Sequence, residues 1–430
     1  MDLHDIARGM IASAFAAVDP ERLAREELAR RGERFGAVLS LGKAGAALGR
    51  GVREALEPGA RRLLIRPLRS SSLLDPGWEQ KTGGHPFPDR QSLAAGERLE
   101  RWLAEIPPRP LLALISGGAS ACLEAPAAGL TLDDLAATQR ALLASGLPIQ
   151  TVNAVRKHLS RLKGGGALRA TDGRLPRILV LLLSDVPGDD PGTIASGLFA
   201  ADPTTFADAL AVVEGLNVPE SVRRHLAAGV RGELPETLKP GHPFLERIET
   251  ALLAGARTAV AAMAGEGRRR GFHAADGELL GEAAQAAREL VARGRDLARA
   301  AAGSGVALVL GGETTVTLRG ETGSGGRNQE LAFAAARELA GGTDELVFTV
   351  ATDGEDGPTR YAGARVDGGT WEAVRRAGID PGAALARHDS RPALAAVPGT
   401  LLETGSTGTN VGDLAVYLRA PATSPPGPLS

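Results

Sequence analysis

Short, almost wholly apolar runs recur along the chain, all but the last closed by glycine or small polar residues. They are Gly36–Leu41 (GAVLSL), Leu111–Ile115 (LLALI), Ile178–Leu183 (ILVLLL), Val306–Leu310 (VALVL), Leu346–Ala351 (LVFTVA) and Leu414–Leu418 (LAVYL). Runs of this length with no polar alternation read as strands buried on both faces. Arg62–Ile65 and Thr315–Arg319 add two weaker strands. Between them the period changes to that of helices: 3–31, with Ile6, Met10, Ile11, Phe15 and Val18 on one face, then Ala46–Leu56, Leu132–Ser145, Val152–Lys163, Ile248–Met263, Glu278–Ala302 and Gln329–Leu339. Gly164-Gly165-Gly166 stops the fourth of these. Strands alternating with helices predict an α/β protein whose parallel sheet is covered on both faces. Pro235, Pro240 and Pro243 thin the pattern, so the expected division is 1–240 and 241–420, with a disordered Pro/Ser-rich tail at 421–430.

Composition narrows the class. The 430 residues suggest two domains, since one core seldom grows past about 250–300 residues. A single cysteine, Cys122, excludes an intrachain disulfide and any cysteine-based zinc or iron–sulfur site. A net charge of −2 gives no global field to recruit nucleic acid or an anionic membrane, so neither is expected as a partner. No apolar run reaches the 18 or so residues a membrane helix needs. Met10–Val18 could imitate a signal-peptide core, but Asp2 and Asp5 stand where positive charge is required. The expected compartment is the cytoplasm. Only five lysines stand beside 44 arginines, and only four asparagines occur. Lys43, Asn153, Asn328 and Asn410 therefore draw notice in glycine-rich or densely polar stretches, because ammonium and guanidinium groups are not interchangeable where geometry matters.

In open α/β sheets ligands bind beyond the carboxyl ends of the strands. Five such ends finish here in Gly42-Lys43, Ser116-Gly117-Gly118, Ser184-Asp185, Gly311-Gly312-Glu313 and Thr352-Asp353-Gly354. They come from both expected domains, and one cleft between the two is the simplest account. Gly42-Lys43-Ala44-Gly45 before a helix has the anatomy of an anion site, although it is no Walker A loop: Ala44 stands where Ser or Thr is required. It also reads as a tight strand–helix turn with a surface lysine.

Ser184–Asp190 (SDVPGDD) and Thr352–Pro358 (TDGEDGP) place carboxylates beyond buried strands in both halves. Mg²⁺ uses such groups when one or two acids share it with substrate phosphates; Asp-Gly pairs are equally at home in plain turns. Gly323–Glu330 (GSGGRNQE) opens a helix with a guanidinium and amides suited to phosphate or carboxylate, or forms a loop with a solvated arginine. Thr404–Asn410 could be another anion cradle or a polar loop. His85, in Gly84–Asp89 (GHPFPD), suggests acid–base chemistry or a rigid proline-rich turn.

These strings resemble the glycerate 2-kinase family, whose C-terminal part is called MOFRL and which has also carried the name hydroxypyruvate reductase. The most specific pieces are Asn153–Gly166 (NAVRKHLSRLKGGG), Leu183–Gly197, Gly311–Val316 (GGETTV), Gly325–Leu331 (GGRNQEL), Thr352–Thr359 and Thr407–Val411. The resemblance implies a Rossmann-like N-terminal α/β domain, a mixed-sheet C-terminal domain, and an active site in the cleft between them. It implies ATP- and Mg²⁺-dependent phosphorylation of D-glycerate to 2-phosphoglycerate, and it allows a homodimer. On matched positions Lys43 and Arg327 look like the catalytic cations, while Asp185, Asp189 and Asp353 look like acids for metal or hydroxyl activation. Gly42, Ser116, Gly117, Gly118, Ser120, Asn153, Glu313, Asn328, Thr407 and Asn410 are the expected substrate and nucleotide contacts. Departures from the family pattern stand at Leu198, Ala256, Tyr361, Ser406 and Gly412.

Two other functions would leave different marks on the sequence. A reductase acting on hydroxypyruvate or tartronate semialdehyde predicts a Gly-x-Gly-x-x-Gly turn with an acid about 20 residues on, and the chain has none. A non-catalytic sugar-acid sensor would need the anion loops but not two sets of strand-end carboxylates.

Overall fold

The computed structural model describes residues 2–70, 75–318 and 322–422. The chain divides into two compact units: Pro20–Leu253, and Met1–Asp19 together with Ala254–Ser430. The boundary thus falls at 253/254 instead of 240/241, and the first helix belongs with the C-terminal unit. The physical reason is its apolar face: Ile6, Ala7, Met10, Ile11 and Ala14 are buried, and the helix packs against Ala256–Arg269 with Ser13 Oγ donating to the carbonyl of Ala262 at 3.2 Å. The single helix expected over 3–31 is two, Leu3–Ala17 and Pro20–Arg31. Proline cannot continue a helix but suits the first position of a new one.

The first unit is built on β1 (Phe35–Leu41), β2 (Leu56–Pro67), β3 (Glu79–Gly83), β4 (Leu111–Ser116), β5 (Ile178–Leu183) and β6 (Ile248–Ala254). The sheet order is β3-β2-β1-β4-β5-β6, and from β3 to β5 all pairs are parallel. Every residue of β1, β4 and β5 is buried, as strands with both faces covered require. Trp102, Leu99 and Leu103 of the helix Arg90–Glu105 pack on one face.

The second unit holds β7 (His273–Leu279), β8 (Val306–Gly312), β9 (Glu345–Ala351), β10 (Gly363–Asp367), β11 (Leu401–Leu402) and β12 (Asp413–Arg419). Its order is β11-β10-β9-β12-β8-β7; β7 and β8 are parallel, whereas β12 runs antiparallel to both β8 and β9. This mixed sheet matches the expectation drawn from the family resemblance.

Several expected elements change. Ile248–Met263 is not one helix: Ile248–Ala254 is a strand and the helix starts at Ala256. Likewise β7 ends at Leu279 and the next helix spans Ala283–Ala300. Alanine-rich edge strands carry too little β-branched character to declare themselves. The helix expected over Ala46–Leu56 covers Gly45–Arg50 only, because β2 begins at Leu56. That over Val152–Lys163 covers Ile149–His158, and Ser160 instead bridges to Pro126. Of the strand expected at Thr315–Arg319 there is only a bridge from Thr315 to Glu282, and Arg319 lies outside the described residues, as does the tail from 423 onward.

Candidate active site

Because β1, β4 and β5 are parallel, their carboxyl ends emerge at one edge of the first sheet. Gly42, Lys43, Ser116, Gly117 and Gly118 are knitted together there. The Lys43 amide donates to the carbonyl of Gly117 at 2.9 Å, the Ala44 amide to Ser116 Oγ at 3.0 Å, and Ser116 Oγ to the carbonyl of Leu41 at 3.0 Å. Gly42 has φ 95°, and a Cβ on it would stand 2.4 Å from the Ser116 carbonyl oxygen. Only glycine fits. Gly118, at φ 80°, brings the chain under two side chains: a Cβ there would lie 3.0 Å from Lys43 Cγ and 3.5 Å from His85 Cδ2. Lys43 and His85 therefore converge over the loop that follows β4. His85 precedes Pro86 through a cis peptide bond.

A second cluster in the same unit joins Ser120, Asn153 and a residue the sequence did not flag, Ser196. Ser120 Oγ and Ser196 Oγ are 2.6 Å apart, and Ser196 Oγ donates to Asn153 Oδ1 at 3.1 Å. Ala195 and Ser196 both have left-handed backbone, φ 52° and 53°. Such residues cost about 1–3 kcal/mol each and persist where the surroundings impose them, often at functional sites. Asp185 and Asp189 lie in the turn leaving β5, Asp189 at φ 54°; Asp190 closes that turn by accepting from Thr193 Oγ1 at 2.7 Å.

In the other unit the antiparallel course of β12 decides the arrangement. Asp413, the first residue of β12, stands level with Gly312 of β8 and Ala351 of β9. Arg327 reaches it from the start of the helix Arg327–Leu339: Nε pairs with Asp413 Oδ2, Nη2 donates to Asp413 Oδ1 at 3.1 Å, and Nη1 pairs with Glu313. Burial alone would lower the guanidinium's pKa; Asp413 and Glu313 outweigh it and raise the pKa.

Asn328 and Gln329 are fixed by Asp356, which accepts from their backbone amides at 3.0 and 2.8 Å. Burial pushes the Asp356 carboxyl up to about 6 against those hydrogen bonds. Thr352, Asp353 and Thr407 are tied together: the Thr407 amide donates to the Asp353 carbonyl at 3.4 Å and Thr407 Oγ1 to that of Thr352. Asn410 is buried beside Val411, whose amide donates to Thr352 Oγ1 at 2.8 Å. Asp353 Oδ1 accepts from the Glu355 amide at 3.0 Å, an Asx turn.

Asp413, Asp356 and Ser196 are the residues of these clusters that sequence reasoning missed. Asp413 opens an apolar strand instead of following one, so a search of strand carboxyl ends passes over it. Asp356 was visible only as half of an Asp-Gly turn, and nothing in the sequence announces the backbone of Ser196. Among the described residues no group of three or more His, Cys, Asp or Glu gathers as a metal-ion site. That is compatible with Mg²⁺, which takes one or two protein carboxylates and completes its shell with phosphates and water.

Comparison with known proteins agrees across the chain. Residues 6–227 match the model of a domain of unknown function, DUF4147, and residues 306–413 match the MOFRL family. A glycerate 2-kinase of Pyrococcus horikoshii is 36% identical over 97% of this chain and 98% of its own. A relative from Agrobacterium vitis, 37% identical over 96% of this chain and 94% of its own, carries a provisional hydroxypyruvate reductase name. The crystal structure of a glycerate kinase from Thermotoga maritima superposes with a TM-score of 0.82 at 33% identity, covering 97% of this chain and 99% of that one.

Proposed function

Since the chain belongs to the glycerate 2-kinase family, we propose that it transfers the γ-phosphoryl group of ATP to the 2-hydroxyl of D-glycerate, with Mg²⁺, giving 2-phosphoglycerate and ADP. The observation that carries this reading is that both units match that family, not one alone. In the reaction the hydroxyl oxygen attacks the γ-phosphorus, the bond from that phosphorus to the β,γ-bridging oxygen breaks, and the hydroxyl proton leaves to a carboxylate, for which Asp189 and Asp353 are the candidates.

Phosphoryl transfer asks little covalent chemistry of the protein, so charge placement dominates. Lys43, over the Gly117-Gly118 loop, neutralises phosphoryl or carboxylate charge. Arg327 presents the N–H groups left by its three bonds to Asp413 and Glu313, in an orientation those acids fix before substrate arrives. Asp185, Asp189 and Asp353 offer carboxylate oxygens to Mg²⁺, which when bound offsets phosphate charge. Gly42, Ser116, Gly117, Gly118, Ser120, Asn153, Glu313, Asn328, Thr407 and Asn410 are the proposed substrate and nucleotide contacts. No helix among the described residues is long and apolar enough to cross a membrane.

The test is to incubate the protein with D-glycerate, ATP and Mg²⁺ and identify the product by phosphorus NMR. The expected product is 2-phosphoglycerate, formed one for one with ADP and lost when Mg²⁺ is chelated. Oxidation of NAD(P)H with hydroxypyruvate, without ATP consumption, would overturn the proposal.

A further inference from the structure

Arg156 lies on the helix Ile149–His158, one turn beyond Asn153. Its guanidinium reaches Asn153 Oδ1 at 3.5 Å and the backbone carbonyl of Ser120 at 3.3 Å. Both contacts are long for a charged donor. They are its only hydrogen bonds among the described residues, where it also makes no ion pair. The neighbourhood leaves its charge unbalanced. Buried Glu124 is already paired with buried Lys163, and Arg156 sits in the field of the same carboxylate. Burial pushes the thiol of adjacent Cys122 up to about 12, so it adds no negative charge near neutral pH. Two cations thus share one anion in a largely desolvated place, an arrangement that an incoming anion relieves.

The polar groups around Arg156 suit such an anion. Asn153 turns Oδ1 toward Ser196 and Arg156, which leaves its NH₂ group as a donor. Because Ser196 Oγ donates to Asn153, Ser120 Oγ is the donor in the pair of hydroxyls, so both hydroxyl protons are spent holding Asn153 in this orientation. Ser120 also stands two residues from Gly118, the residue over which Lys43 lies, so one loop links Arg156 to the lysine.

We propose that Arg156 binds the carboxylate of the acceptor substrate, its planar fork matched to the planar anion, with the Asn153 NH₂ group donating beside it and the Ser120–Ser196 pair holding Asn153 in that orientation. This assigns a specificity-determining residue and rests on the glycerate kinase reading. A carboxylate held here distinguishes a hydroxy acid from a neutral polyol or amide of the same shape.

The experiment measures KM for D-glycerate and for ATP, and direct D-glycerate binding by calorimetry, in wild type, Arg156→Gln and Arg156→Lys. Loss of a charge-assisted fork should raise the glycerate KM and Kd roughly 10- to 100-fold in Arg156→Gln. In Arg156→Lys, which keeps the charge without the fork, the rise should be at least about 5-fold. The ATP KM should stay within about 2-fold in both, and the preference for glycerate over glyceramide should collapse in Arg156→Gln. If Arg156→Gln fails to fold, Arg156→Lys decides alone. An unchanged glycerate KM, or an ATP KM rising in step, overturns the proposal; the second result assigns Arg156 to a nucleotide phosphate. Absence of glycerate phosphorylation in the wild type instead defeats the underlying reading, while carboxylate binding by calorimetry still reports on Arg156.

Discussion

Arg327 is held by two carboxylates of its own unit, whereas Lys43 rests on a loop of backbone carbonyls and glycines. Removing each should therefore have different consequences. Lys43→Ala is expected to lose about 10²–10³ in turnover with its melting temperature close to wild type, since its side chain is only partly buried. Arg327→Ala should lose turnover and stability together. It leaves Asp413, wholly buried, without its cation, and breaking one side of a buried pair costs about 3–5 kcal/mol. A solvated loop arginine, one of the two readings open from the sequence, would leave Arg327→Ala stable; the ion pair with Asp413 reverses that expectation. Adding Asp413→Asn to Arg327→Ala should restore part of the melting temperature and none of the turnover. Thermal melts beside steady-state rates, with Lys81→Ala as control, decide the matter; an Arg327→Ala variant as stable as wild type would show that Asp413 finds another partner.

At the scale of elements, the helix Arg327–Leu339 begins where it does because Asp356 satisfies its first free amides, at the price of burying a carboxylate. In the folded protein this group binds its proton up to about pH 6, in the unfolded chain only to about 3.8. Between those values the folded state holds more protons, so this group's contribution to stability falls as pH rises, by roughly 3 kcal/mol across the window. Asp356→Asn should erase that slope: the stability difference between wild type and variant, followed by denaturant melts from pH 4 to 7, should move against the wild type as pH rises. A difference independent of pH would show that Asp356 titrates normally.

The central strands were legible because both their faces are buried, so the apolar runs of β1, β4, β5, β8, β9 and β12 declare themselves. The edges were not. β6 and β7 mix alanine with charged residues and read as helix, and β3 (EQKTG) reads as loop. The same limit applies to the candidate site: loops at strand ends were found by glycine and charge, but Asp413 depends on strand direction, which no local pattern encodes.

At the scale of the molecule, the second unit is assembled from two separated stretches of chain. The helix Leu3–Ala17 contributes Ile6, Met10 and Ile11 to that unit's core, and such side chains, fully buried, contribute about 1.5–3 kcal/mol each. A fragment spanning 20–253 should fold cooperatively by itself. A fragment spanning 254–422 should remain loosely packed until residues 2–19 are supplied as a peptide or joined by a linker. Circular dichroism melts of the three preparations check this, and a sharp, peptide-independent transition in 254–422 would refute it.

That interrupted unit sets a problem of timing during synthesis. The helix at 3–17 leaves the ribosome early, but its partner at 256–269 follows more than two hundred residues later. At about 5–20 residues per second the wait is on the order of 10–50 s. For that interval Ile6, Met10 and Ile11 have no native surface to cover them, while Pro20–Leu253 can complete its own core. The helix therefore stays uncovered while a whole domain is completed behind it, and factors that shield exposed apolar stretches should engage it during that interval.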